Sequence, residues 1–173
     1  MKLSIALFFF STVLCSQNSI KKFPEDFLGT YVGKLLITNS TNTQEIDMQF
    51  HLLPTDTLTK FKYTLVYKSD KINQEKNYFL IEKDKSKGHY IIDENNGIIL
   101  NATYANNALY TIFEVQGGLL ITTKHFYENY MDFEIMYAQK NKADKSGNIP
   151  PDIPEVVSYP IQSVQKARLY KTK

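Results

Sequence analysis

Three histidines, His51, His89 and His125, are the side chains best suited by type to hold a metal or move a proton near neutral pH. A metal site needs at least two of them to converge within a supporting shell of hydrogen bonds, and no close spacing in the chain brings any two together. His51 lies on the polar side of an alternating run and His89 follows Gly88 at the start of another, so separate surface histidines are expected. The stretch "DENNG", residues 93 to 97, places Asp93 and Asn95 two apart, as in a calcium loop. Such a loop continues with further oxygen ligands and a terminal bidentate glutamate, whereas this chain continues "IILNAT", which makes the stretch a turn. Glu82, Asp84, Glu114, Asp132 and Glu134 could act as an acid–base pair only if the fold set two of them across a cleft. On alternating strands they are expected on solvated faces. Serine nucleophile elbows, phosphate-binding glycine loops and zinc-helix motifs do not occur. The chain therefore reads as a non-enzyme, with no catalytic residue, no metal and no cofactor expected.

The aromatic side chains offer a different chemistry. There are 12 Tyr and 11 Phe with no Trp, a composition that fits aromatic-rich strands. Phe50, Phe61, Tyr63, Phe113 and Phe133 fall on inward-facing parity. They could line a cavity for a small hydrophobic or amphipathic ligand, with hydroxyls as polar handles. The same residues could instead fill the interior completely, leaving a non-catalytic envelope accessory or interaction module. Composition leaves both readings open.

Those residues need elements to carry them. At 173 residues, 43% apolar and 22% charged, the chain has the proportions of one globular domain. Its net charge of +2 comes from interleaved lysines and acids, so neither nucleic acid nor an anionic membrane surface is implied as a partner. "MKLSIALFFFSTVLCSQ" has one cation, Lys2, then an apolar run from Leu3 to about Leu14, then small polar residues. That is the layout of a secretory signal peptide, and the run is shorter than the roughly 20 residues that span a bilayer. A leader over 1–16 and one domain over 17–173 are expected, giving an exported product, periplasmic or secreted, with no integral membrane segment. A lipid anchor on Cys15 would want a small residue before it, and Leu14 is not small. Cys15 is the single cysteine, so the mature fold has no internal disulfide and must stand on packing. The sequence leaves the oligomeric state open.

From Gly29 onward, short alternating runs repeat. In "IDMQFHL" Ile46, Met48, Phe50 and Leu52 share one face; "KFKYTLVYK" and "YMDFEIMYA" repeat the pattern. Asn95-Asn96-Gly97, Asn106-Asn107, Gly117-Gly118 and Glu128-Asn129 punctuate them as hairpin turns. The reading gives about ten strands, near 29–38, 45–53, 60–68, 76–84, 89–94, 98–105, 108–116, 119–127, 130–138 and 156–170. "SIKKFPEDFLG" can hold a single helical turn, and "QKNKADKSGNIPPDIPE", residues 139 to 155, reads as a long exposed loop. Pro160 makes the last strand bulged or partly at an edge.

Ten short antiparallel strands joined by hairpins hide their edges completely by closing into an up-and-down barrel. "PEDFLGTYVGKLLI" resembles the first strand of lipocalin-like (calycin) barrels, where a short turn leads into Gly-x-Trp; here Tyr31 stands at the Trp position. The chain also resembles small exported bacterial proteins of unassigned role that carry such a domain. The resemblance implies that Tyr31 closes the barrel floor and that a cation from the last strand packs across it, with Arg168 in "QKARLYK" the best match and Lys166 second. It also implies Tyr31 and Arg168 as interior residues beside the aromatics named above, and a small apolar ligand as the partner.

Overall fold

Alternation forces each run to present one apolar and one polar face, and pairing between chain neighbours joins the apolar faces into one surface. The computed structural model describes residues 21–150 and 152–173; the expected leader and Cys15 lie outside the described residues. The strands are β1 Gly29–Asn39, β2 Thr43–Pro54, β3 Lys60–Lys68, β4 Asn73–Asp84, β5 His89–Asp93, β6 Ile99–Ala105, β7 Ala108–Val115, β8 Gly118–Phe126, β9 Tyr130–Gln139, β10 Asp144–Ser146, β11 Val156–Ser158 and β12 Ile161–Lys171. Ten of them close into an antiparallel barrel in the order β1-β12-β9-β8-β7-β6-β5-β4-β3-β2, while β10 and β11 pair separately. The expected up-and-down barrel is therefore the fold. Its seam is β1 against β12, in register from Tyr31 opposite Lys171 to Asn39 opposite Ser163.

Two elements depart from the sequence reading. The 139–155 stretch carries a 3-10 turn at Lys140–Lys142 and strand β10. The expected strand 156–170 divides at Tyr159-Pro160 into β11 and β12, with a register shift between Ile161 and Ser163. Proline lacks the N–H that a continuous ladder would need there. A third departure is smaller. At the β7–β8 turn the positive φ angles fall on Gln116 (49°) and Gly117 (79°), while Gly118 begins β8. The Tyr137 ring lies over Gly118, where a Cβ would stand 2.5 Å from it.

One end of the barrel is solid. The segment before β1 forms a 3-10 turn at Glu25–Phe27, and it carries Phe23 and Phe27 into the barrel bottom. Phe23 stacks on Tyr104 with centroids 4.0 Å apart and meets Tyr90 edge-on at 5.2 Å; Phe27 lies 5.4 Å from Phe126. Two buried hydroxyls hold the segment in place: Tyr31 donates to the Phe27 carbonyl at 2.6 Å and Tyr90 to the Phe23 carbonyl at 3.2 Å. Tyr31, fully buried, is thus a floor residue, and burial pushes its phenol up to about 12.

The cation across Tyr31 is neither Arg168 nor Lys166. Lys171, its register partner on β12, holds its ammonium 5.9 Å from the ring centroid. Gly29 leaves room for this side chain, because a Cβ there would stand 2.6 Å from Lys171 Cε. Arg168 falls between the inward-facing Ala167 and Leu169, so strand alternation turns it outward. There it makes a two-pronged ion pair with Asp132 (Nε to Oδ1 2.8 Å, Nη2 to Oδ2 2.9 Å) and lies 4.4 Å from the Tyr130 ring centroid. Lys166 pairs with Glu134 on the same outer wall at 2.7 Å. Arg168 is not a cavity residue.

Truncating Tyr31 to Ala should cost about 3–5 kcal/mol, as for other large buried aromatics. Tyr31→Phe should cost about 1–3 kcal/mol by stranding the Phe27 carbonyl. Arg168→Ala should leave the urea midpoint nearly unmoved. Equilibrium urea unfolding of the three variants checks this order; a larger loss for Arg168→Ala than for Tyr31→Phe would return the floor cation to Arg168.

Candidate functional site

The other half of the barrel is hollow, and its wall follows from parity on the strands around it. On β8 the inward ladder reads Leu120, Thr122, Lys124, Phe126, from the mouth down to the floor. Across β7 and β9, Lys124 stands opposite Leu109 and Phe133, and Thr122 opposite Thr111 and Ile135. On β3, Phe61 lies at the floor, Tyr63 above it and Tyr67 nearer the mouth; Tyr63 faces Tyr78 of β4. Above Phe61, Leu109 and Phe126, the others of these side chains line a cavity of about 140 Å³ together with Phe113 and Leu100. An apolar cavity of about 150 Å³ accepts benzene, so this one admits a ring or a short alkyl chain. A second void of about 300 Å³ at the mouth shares Tyr67, Lys76, Leu120 and Ile135 with it.

The polar groups at the base of this cavity are short of partners. Lys124 is buried, and its ammonium has Thr122 Oγ1 at 3.3 Å as its hydrogen-bond acceptor. The rings of Phe133 and Tyr63 flank it, with centroids 5.1 and 5.5 Å away. Among the described residues no carboxylate pairs with it, and burial alone pushes its amine down to about 7. Tyr63 hydroxyl is buried without a hydrogen-bond partner, and desolvation raises its phenol well above the usual range. Thr111 and Thr122 share a hydrogen bond between their hydroxyls. Tyr78 is raised to about 12 by burial first and by the nearby Glu94 charge second.

Of the interior residues expected from the sequence, the structure brings Tyr63, Phe113 and Phe133 to this cavity. Tyr31, Phe50 and Phe61 are buried in the packed floor, where Phe50 meets Tyr63 edge-on at 4.9 Å. The hollow and filled readings thus each describe one half of the barrel. Lys124, Thr111, Thr122, Tyr67 and Tyr78 were not singled out from the sequence. The signal was present in "LLITTKHF", where Lys124 shares parity with Leu120 and Phe126, but a lysine in a strand is ordinarily solvated.

The histidines occupy separate places on the outer wall. His51 Nδ1 is 2.9 Å from Thr30 Oγ1, His125 stacks 4.9 Å from Tyr127, and His89 is exposed at the start of β5. Asp93 accepts the Asn95 backbone N–H at 2.9 Å, as an aspartate does in a turn. Among the described residues no group of three or more His, Cys, Asp or Glu could hold a metal. No described helix is long and apolar enough to cross a membrane.

No protein-family model matches the chain, and the curated proteins contain no match. Solved structures do match in fold. The S-type phycobiliprotein lyase CPES from Guillardia theta aligns with a TM-score of 0.58 at 7% identity, over 86% of this chain and 90% of that one. A protein of unknown function from the DUF3598 family of Nostoc punctiforme aligns with a TM-score of 0.50 at 9% identity. That alignment takes in 86% of this chain and 48% of the other. At these identities the likeness is one of fold. The barrel is lipocalin-like.

The amine of Lys124 makes a pH prediction with a definite sign. Its folded value of about 7 lies below the roughly 10.4 of an unfolded lysine. Between those values the unfolded chain holds a proton that the folded chain has lost. This residue therefore penalises folding fully below pH 7, and the penalty fades as pH rises toward 10. Lys124→Met should raise stability most at pH 6, and the gap to the parent should narrow at pH 9–10. Urea midpoints of both proteins across that range measure it; a gap independent of pH would mean that the ammonium is solvated.

Proposed function

We propose that this chain binds a small amphipathic molecule in the mouth half of its barrel, as a carrier or sensor and without turnover. The observation that carries the reading is the division of the barrel. Aromatic packing seals the floor, while above it a cavity with apolar walls and unpartnered polar groups opens toward the mouth. Apolar walls with a few convergent polar groups are what small-molecule sites have in common. The fold likeness to a barrel named as a phycobiliprotein lyase supports a vessel in which a molecule is held, and does not separate holding from chemistry.

We place the protein outside the cytoplasm, in the periplasm or secreted. The leader-like 1–16 stretch supports this, with cleavage next to Cys15 or Ser16 in preference to acylation of Cys15. Intact mass of protein from its own host should correspond to a chain starting at Ser16 or Gln17; a full-length or lipid-modified mass would remove the proposal.

Binding is tested by native mass spectrometry of the same material and by thermal shift with 1-octanol. A retained small molecule, or a rise in melting temperature that saturates with octanol, is the expected outcome. Leu120→Trp, which adds bulk where the cavity meets the mouth void, should abolish the shift and keep the far-ultraviolet circular dichroism of the parent. An equal octanol shift in parent and variant would exclude the cavity as the site.

A further inference from the structure

We infer that the base of the cavity is a head-group site for a single carboxylate, formed by the Lys124 ammonium, the Tyr63 hydroxyl and the Thr111–Thr122 hydroxyl pair. The ligand is then a monocarboxylic acid with a short aromatic or aliphatic body, bound head inward and tail toward the mouth. This rests on the proposed binding function and names the chemical class that the same cavity takes.

Two buried donors short of acceptors line the same cavity, with the Lys124 ammonium 5.5 Å from the Tyr63 ring centroid. The Lys124 ammonium has three N–H groups, and among the described residues it has one acceptor, Thr122 Oγ1 at 3.3 Å. The Tyr63 hydroxyl has no partner. Leaving buried donors unmet costs stability that an apolar side chain in either place would avoid. What the site lacks is a compact acceptor carrying negative charge. The carboxylate on the cavity wall, Glu94, accepts from Asn96 Nδ2 at 3.4 Å and makes no ion pair with Lys124.

Charge and size narrow the class. One buried cation balances one negative charge, and a phosphate dianion would bury a surplus charge in low dielectric at large cost. A carboxylate offers two oxygens, enough to accept from the ammonium and from the phenol together. Above the head group the walls are Phe133, Phe113, Leu100, Ile135 and Leu120, and the space fits a ring or a short alkyl chain.

The titratable groups facing the cavity are Tyr63 and Tyr67 on β3, Lys76 and Tyr78 on β4, Glu94 after β5, and Lys124 on β8. β7 and β9 face it with Thr111, Phe113, Phe133 and Ile135. Burial raises all three tyrosines, so they stay neutral up to at least pH 9. A carboxylate beside Lys124 favours the ammonium, so binding at pH 8 should draw one proton from solution.

The test pairs octanoate with 1-octanol, two probes alike in chain and different in head group, by titration calorimetry on the mature protein. Octanoate should bind at least tenfold more tightly at pH 7. It should take up close to one proton at pH 8, read from the dependence of heat on buffer ionisation enthalpy, while octanol takes up none. Lys124→Met should erase the difference between the probes, and Tyr63→Phe should reduce it severalfold. Octanol binding as tight as octanoate, or a preference that survives Lys124→Met, overturns the head-group site and leaves the carrier reading standing. Binding of neither probe removes both.

Discussion

The pairing of β1 with β12 is the constraint on which the rest depends. Without it the ten strands are a curved ribbon with two free edges and an exposed apolar face. With it, every inward residue shares one enclosed volume. The seam extends beyond the strands, since the Thr172 backbone N–H donates to the Thr30 carbonyl at 2.8 Å. It also sets Lys171 across Tyr31, so the first and last barrel strands meet at the floor. No internal disulfide supports this closure, because the chain has a single cysteine, Cys15. Packing and ladder hydrogen bonds carry it.

The two halves of the enclosed volume follow opposite rules. In the floor Tyr31 and Tyr90 spend their buried hydroxyls on the carbonyls of the Phe23–Phe27 segment, which ties the plug to the wall. The aromatic rings there meet at tilted or edge-on angles, apart from the stacked Phe23–Tyr104 pair, and fill the space. Toward the mouth the polar groups are buried first and satisfied incompletely. A lysine that gives up its solvent for one long hydrogen bond lowers the stability of the fold, unlike the satisfied hydroxyls of the floor. The outer wall follows a third rule. Its charges pair across neighbouring strands, as Lys34 does with Asp47, Lys166 with Glu134 and Arg168 with Asp132, where water screens them and they contribute to solubility and strand register more than to stability.

What the sequence determined by itself was local: the alternation in "IDMQFHL", "KFKYTLVYK" and "YMDFEIMYA", the turns at Asn95-Asn96-Gly97 and Asn106-Asn107, and hence the strand number and the antiparallel barrel. These survive because period-two patterning and positive-φ residues act over a few residues. Parity also identified Phe50, Phe61, Tyr63, Phe113 and Phe133 as inward, though it gave no depth along the axis. Depth depends on strand stagger, and stagger alone assigns Phe50 and Phe61 to the packed floor and Tyr63, Phe113 and Phe133 to the cavity. Arg168 was assigned to the floor by resemblance, against the parity of its own strand, and alternation decided otherwise. The convergence of Lys124 with Tyr63 was beyond sequence reading: 61 residues separate them in the chain, and only closure of the wall brings β3 and β8 to face the same space. The physical reason is that hydrogen-bonded pairing is decided between neighbours, while the contents of a barrel are decided by all of its strands at once.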